Sequence, residues 1–219
     1  MSNSSPGPDR VTYKDLKKAD PGCHVLTAYF NKVMQLENVP SSWKTSNTVL
    51  LYKKGETHDL RNWRPIAMGD TTPKLYAAIM ADRITTWAVT NGRLSTSQKG
   101  FLNYEGCYEH NFVMQEAIHD ARNSKKEVVI AWLDLTNAFP SVPHDSIHKA
   151  LEAHGLPDKT RRIINSLYDN LTTQVRTTAG YTDPIRILSG VRQGCPLSPI
   201  ICNPDQSFGR TSGPIQALS

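Results

Sequence analysis

Three groups of side chains in this sequence have the type and spacing for chemistry. The first centres on Asp134, near the end of the run Glu127-Val128-Val129-Ile130-Ala131-Trp132-Leu133-Asp134-Leu135. That run is apolar on both faces and reads as a central strand of a sheet. A carboxylate buried there without a partner is costly. A hard divalent cation such as Mg2+, which prefers oxygen ligands, would compensate it. The alternative is a turn or cap, in which Leu135-Thr136-Asn137 take the hydrogen bonds of the carboxylate. The second group is basic: Lys53, Lys54 and Arg64 lie between two short apolar segments. A pair of strands joined by their connecting loop would bring these cations together, either for an anionic partner or as a solvated hairpin tip. The third is His144 and His148, spaced i, i+4, which is metal-binding spacing on a helix face. No third ligand follows at a set distance, so solvated or capping histidines are the better reading.

The elements that position these groups follow from periodicity. Residues 11–38 read as helical, with Val25, Leu26, Tyr29, Phe30, Val33 and Met34 at helical spacing and Pro40 as the stop. Trp43 to Tyr52 contains a short strand through Thr48-Val49-Leu50-Leu51. A turn at Lys53-Lys54-Gly55-Glu56 follows, and the chain becomes extended again over Arg64-Pro65-Ile66-Ala67-Met68. A helix starts at Thr72-Pro73, carries Tyr76, Met80, Ile84 and Trp87 on one face, and stops at Asn91-Gly92. A second helix covers about 107–122. Beyond the Asp134 strand, helices are expected over Pro143–His154 and Asp158–Asn170, then a hairpin over 172–188 around Ala179-Gly180. Pro204 cuts short any helix begun at Pro199, and residues 204–219 show no periodicity.

The chain has 219 residues, 38% of them hydrophobic and 21% charged, with a formal net charge of +5. Those proportions suit a folded domain and argue against wholesale disorder. The basic balance, with a pI near 9.0, is compatible with a polyanionic partner. Cys23, Cys107, Cys195 and Cys202 fit no zinc-module spacing, and free thiols are expected. The first residues are polar, and no apolar run approaches the ~18–20 residues of a membrane span. The expectation is a soluble intracellular chain with no membrane partner.

The order of short motifs resembles that of reverse transcriptases of non-LTR retrotransposons. The resemblance runs through Gly7-Pro8-Asp9, then Pro40-Ser41-Ser42-Trp43-Lys44, Asn62-Trp63-Arg64-Pro65-Ile66 and Gln98-Lys99-Gly100-Phe101. Leu133-Asp134-Leu135-Thr136-Asn137-Ala138-Phe139-Pro140-Ser141-Val142-Pro143-His144 is similar to the first catalytic motif of the palm. The second is similar to Gly190-Val191-Arg192-Gln193-Gly194-Cys195-Pro196-Leu197-Ser198-Pro199. This likeness implies in-line phosphoryl transfer, in which positioning and charge neutralisation by metals do most of the catalysis. Asp134 would bind two Mg2+ ions, with the Leu135 carbonyl completing one shell. Lys53, or else Lys54, and Arg64 would hold the triphosphate of an incoming dNTP, the planar Arg fork suiting phosphate. Phe139 would pack beneath the sugar and reject a 2′-hydroxyl. Gln193 and Gly194 would line the nascent base pair, glycine permitting close backbone approach. Arg192 would either be solvated or touch the template backbone. The implied partners are an RNA template, a DNA primer and dNTPs.

The departures bound that expectation. The family carries a third palm motif with two adjacent aspartates, and no Asp-Asp dipeptide occurs in these 219 residues. Pro140 stands where an Asp is often found after Phe139. The expected fold is α+β, a reverse-transcriptase-like fingers region plus an incomplete antiparallel palm. Its expected divisions are a flexible arm at 1–10, fingers at 11–126, partial palm at 127–203 and an atypical tail at 204–219. The expected function is that of an RNA-directed DNA polymerase whose active site is incomplete in this chain. The alternatives are a non-catalytic nucleic-acid-binding remnant and an inert truncated gene product.

Overall fold

The computed structural model of the chain describes residues 5–95, 97–102, 105–133 and 138–201, without the side chains of 138 and 139. Residues 11–38 form two helices rather than one: α1 (Tyr13–Ala19) and α2 (His24–Leu36). The break has a local cause. Thr12 and Asp15 close a reciprocal capping box that starts α1. Asp20 then ends α1, and its carboxylate accepts from the backbone N–H groups of His24 and Leu26 at the start of α2. One side chain thus satisfies orphan donors that a continuous helix would not have.

Strand β1 (Thr45–Tyr52) pairs antiparallel with β2 (Trp63–Met68), and Leu51 lies opposite Arg64. It also pairs in parallel with β3 (Thr172–Thr177). β3 takes β4 (Gly180–Tyr181) and β5 (Ile185–Arg186) antiparallel along its other side. The sheet is therefore mixed, in the order β2-β1-β3-β4, and not the purely antiparallel sheet expected of a palm. It also crosses the expected boundary between fingers and palm, because β1 and β3 come from opposite sides of it. The β1–β3 seam is small and polar. Buried Ser46, Thr48 and Thr173 interlock there, with the Thr48 and Thr173 hydroxyls 2.8 Å apart and Thr173 donating to the Ser46 carbonyl at 3.0 Å. Every buried hydroxyl in that seam has a partner, as burial requires.

Helix α3 (Thr71–Thr90) runs the length of the core, burying Tyr76, Ala77, Met80 and Ile84. Phe30 from α2 and Trp43 meet Tyr76 there, with centroids 5.2 Å apart in both pairs. The Tyr76 hydroxyl reaches the Met34 sulfur at 3.1 Å, and burial pushes its pKa up to about 12. The other side of the core comes from α6 (His144–Ala153) and α7 (Asp158–Tyr168), through Ile147, Leu151, Ile163 and Ile164. Gly155, at φ +73°, closes α6 as a left-handed cap. Short helices α5 (Ala138–Ser141) and α8 (Ser198–Ile201) flank this layer. Helix α4 (Gly106–Asn123) buries only Gly106 and Ala121, and leaves Tyr108 and Phe112 exposed.

Two expectations fail on packing. Residues 127–133 form no strand, and Val129, Trp132 and Leu133 are 92%, 78% and 96% exposed. A run apolar on both faces needs cover on both, and among the described residues no strand pairs with it and no layer lies over it. The amino-terminal arm differs in the opposite sense. Its residues from Ser5 on are docked on the start of α3. The Asp9 N–H donates to the Asp70 carboxylate at 3.1 Å, and Lys74 reaches the Ser5 carbonyl at 3.1 Å. Gly7 lies so close that a Cβ there would sit 2.4 Å from the Asp70 nitrogen. Burial against the arm raises the pKa of the Asp70 carboxyl and lowers that of the Lys74 amine. Among the described residues no helix is long and apolar enough to cross a membrane.

Candidate active site

The basic loop between β1 and β2 is tied internally. The Lys53 N–H donates to the Asn62 carbonyl at 2.8 Å, carrying the β1–β2 register one step beyond Tyr52↔Trp63. Asn62 Nδ2 donates to the Glu56 carbonyl and Trp63 Nε1 to the Thr57 carbonyl, both at 2.9 Å. Gly55, at φ +93°, gives the turn its tightness, since a Cβ there would meet the Asn62 amide at 2.6 Å. Side chains alternate along a strand and directly paired residues share a face. Lys53 therefore falls on the face of Leu51 and Arg64, while Lys54 lies in the turn. All three cations are exposed.

The loop containing Gln193 and Gly194 closes against the outer edge of β2. The Ala67 N–H donates to the Gln193 carbonyl at 2.9 Å. Gly194, at φ +105°, runs so near β2 that a Cβ would lie 3.2 Å from the Ala67 carbonyl. A glycine is needed there on both counts, conformation and approach. Lys53, Arg64, Gln193 and Gly194 are thus gathered along one hairpin and the loop that borders it.

Arg192 goes elsewhere. Its Nη1 donates to the Trp43 carbonyl at 2.9 Å, and its Nε and Nη2 are buried with no hydrogen-bond partner among the described residues. Burial lowers its pKa. Neither expectation for this residue, solvation or contact with template backbone, matches that placement, and a phosphate contact would require the guanidinium to leave the interior. Val191 before it and Leu197 after it are both buried, so this stretch of the loop is part of the core.

The expected metal ligands Asp134 and Leu135 lie outside the described residues, as does the side chain of Phe139. The segment just beyond them is firmly placed. Residues 140–144 dock on 189–190: Gly190 N–H donates to the Val142 carbonyl at 2.7 Å, and Pro143 bridges to Ser189. His144 Nε2 lies 3.0 Å from the Gly190 carbonyl. The end of the first motif and the start of the second are therefore in direct contact. The i, i+4 spacing pairs His144 with His148, but among the described residues no three His, Cys, Asp or Glu side chains could hold a metal ion. Burial lowers the pKa of His148 despite the Asp145 carboxylate nearby. An open cleft of about 480 Å3 lies on this flank, bounded by His144, His148, Asn165, Tyr168 and Arg186, and it includes none of Lys53, Arg64, Gln193 or Gly194.

Comparison with known proteins gives this arrangement a context. Residues 51–204 match the family described as "Reverse transcriptase (RNA-dependent DNA polymerase)". The chain is 31% identical over 202 residues to a "Retrovirus-related Pol polyprotein from type-1 retrotransposable element R2" of Popillia japonica, covering 91% of this chain and 27% of that one. It is 33% identical over 197 residues to the same-named protein of Nasonia vitripennis, covering 90% of this chain and 18% of that one. It is 25% identical over 201 residues to the "RNA-directed DNA polymerase from mobile element jockey" of Drosophila melanogaster, covering 90% of this chain and 22% of the relative. The chain spans less than a third of the length of each of these relatives.

Proposed function

This chain belongs to the reverse transcriptase (RNA-dependent DNA polymerase) family, of the non-LTR retrotransposon type, and from that premise we propose that it forms the fingers and part of the palm of an RNA-directed DNA polymerase. The observation that carries the reading is the docking of 140–144 on 189–190 together with the docking of 193–194 on β2. Those contacts gather two motifs and the basic hairpin, which lie far apart in sequence, around one locality.

The roles follow from that grouping. Lys53 and Arg64 bind the triphosphate of the dNTP, Lys53 rather than Lys54 because the strand register gives it the face of Arg64. Gln193 and Gly194 border the nascent base pair formed on an RNA template and a DNA primer. Phe139 gates the sugar. Arg192 acts from the interior and not on the template. Asp134 and the Leu135 carbonyl would contribute oxygen ligands to Mg2+, which would supply Lewis-acid activation of the phosphoryl group when bound. A bridging Asp134 carboxylate and one backbone carbonyl would still leave two Mg2+ ions short of the protein oxygen ligands that a second carboxylate supplies. The 219 residues contain no Asp-Asp pair to complete the site.

The reading therefore separates binding from chemistry. The isolated chain binds RNA in a salt-sensitive way that weakens when Lys53 and Arg64 are replaced by alanine. It gives no primer extension with Mg2+ on an RNA template. Extension that vanishes in Asp134→Asn would overturn the view that the site is incomplete, and RNA affinity indifferent to salt would remove the nucleic-acid role.

A further inference from the structure

We infer that His144 is a positioning residue, whose imidazole holds the 190–194 loop against the end of the first palm motif. The claim that this loop serves a nucleotide rests on the function proposed above, whereas the tie itself rests on geometry. His144 Nε2 lies 3.0 Å from the Gly190 carbonyl oxygen. A carbonyl oxygen only accepts, so Nε2 must carry the hydrogen and donate it, whether the ring is neutral or charged. The Gly190 N–H donates to the Val142 carbonyl at 2.7 Å. Both polar groups of Gly190 are thus held by the stretch Val142–His144.

The surroundings make the tie rigid. His144 is the first residue of α6, a helix fixed in the core by Ile147 and Leu151, which are 1% and 3% exposed. The imidazole meets the Tyr168 ring edge-on, with centroids 5.5 Å apart and planes at 65°. The Tyr168 hydroxyl is 3.4 Å from the buried Ser198 hydroxyl, which donates to the Arg192 carbonyl at 2.9 Å. Gly190 itself stands at φ +83°, with a Cβ position only 2.6 Å from the Pro140 carbonyl. The loop is therefore pinned at its start by His144, at Gln193 by β2 and at its end by Ser198. Of these, the His144 and Ser198 contacts come from side chains, and the His144 contact joins the two palm motifs beside the backbone bond from Gly190 to Val142. An i, i+4 histidine pair with the spacing of a metal chelate is, on one side, a hydrogen-bond donor to the second motif.

Hydrogen–deuterium exchange on the 219-residue chain tests this, with His144→Ala and His144→Gln compared with the parent. A glutamine amide can place an N–H donor near the imidazole Nε2 position. His144→Ala raises exchange in peptides covering 190–198 by about five- to tenfold, the equivalent of one net hydrogen bond. Peptides from α2 and α3 keep their parent rates, and His144→Gln restores most of the protection. Unchanged exchange at 190–198, an equal rise over α2 and α3, or no recovery in His144→Gln overturns the assignment. Should His144→Ala fail to fold, the 15N spectrum of the parent imidazole decides: a protonated Nε2 above neutral pH supports the tie, and a bare Nε2 sinks it. A parallel titration with a deoxynucleoside triphosphate separates the two claims. Faster loop exchange with unchanged nucleotide affinity leaves the tie standing and counts against the loop as a nucleotide pocket.

Discussion

Gly190→Ala perturbs the junction of the two palm motifs at its tightest point, and its cost can be worked from the backbone. Gly190 adopts φ +83°, a left-handed conformation that an L-residue occupies at a cost of about 1–2 kcal/mol. An added Cβ would also lie 2.6 Å from the Pro140 carbonyl oxygen and 2.8 Å from the Pro140 Cα. Both atoms belong to backbone, so no side-chain rotation relieves the contact, and overpacking of this kind costs about 1–3 kcal/mol more. Gly92→Ala is the control, because Gly92 is also left-handed at φ +59° but has nothing within 4 Å of its Cβ position. It carries the conformational cost without the steric one. For a domain of this size each kcal/mol lowers the melting temperature by about 2–4 °C. Gly190→Ala should therefore melt about 2–12 °C below Gly92→Ala, measured by circular dichroism at fixed pH and salt. Equal melting temperatures would show that residues 140 and 190 are not packed as described, and the joined-motif arrangement would fall with them.

Other expectations come from single features. Lys53→Ala and Arg64→Ala each flatten the salt dependence of RNA affinity by about 0.7–0.9 in log–log slope, one phosphate contact apiece, whereas Arg192→Met leaves the slope unchanged because its guanidinium is internal. An Arg192→Met slope that drops like the other two would place that side chain on the nucleic acid. Trp132→Lys lowers aggregation measured by light scattering and does not lower the melting temperature, since Trp132 is 78% exposed. The pKa of His148 is lowered from 6.5 by burial, so the unfolded chain takes up its proton first as pH falls. Its contribution to stability is intact above pH 6.5 and is lost as pH drops from there through the folded pKa. His148→Leu should flatten the melting temperature between about pH 7 and 5, and a curve as steep as the parent's would remove His148 as the cause.

Local signals in the sequence are legible where the cause of structure is local. The β1–β2 hairpin, α3 with its stop at Asn91-Gly92, α4, α6, α7 and the hairpin around Gly180 all lie where periodicity and turn residues put them. The division between α1 and α2 is hidden, although Asp20-Pro21-Gly22 carries it, because helical spacing on either side masks a cap that serves the second helix. The docking of Gly7 on Asp70 is hidden for another reason: a polar Ser-, Pro- and Gly-rich arm gives no sign of close packing. At the candidate site, the approach of Lys53 to Arg64 follows from the strand pair that the sequence suggests, whereas the placing of Gln193 and Gly194 against β2 depends on a backbone hydrogen bond that has no local signal. Arg192 and His144 mislead because charge and spacing say what a side chain can do, and not which carbonyl lies beside it.

The run 127–133 carries that distinction furthest. Val128, Val129, Ile130, Ala131, Trp132 and Leu133 have the composition of a strand covered on two sides. Composition of that kind describes neighbours, and neighbours are supplied by other parts of a polypeptide. The β2 edge is occupied by the Gln193 carbonyl, and β3 already takes β1 on one side and β4 and β5 on the other. Among the described residues no strand of the sheet pairs with this run, although its composition suits a ladder. An apolar strand without a ladder is a template for pairing with another chain. That is why Trp132→Lys is expected to improve solubility at no cost in stability: the charge would enter a segment whose burial the sequence anticipates and the fold, as described, does not provide.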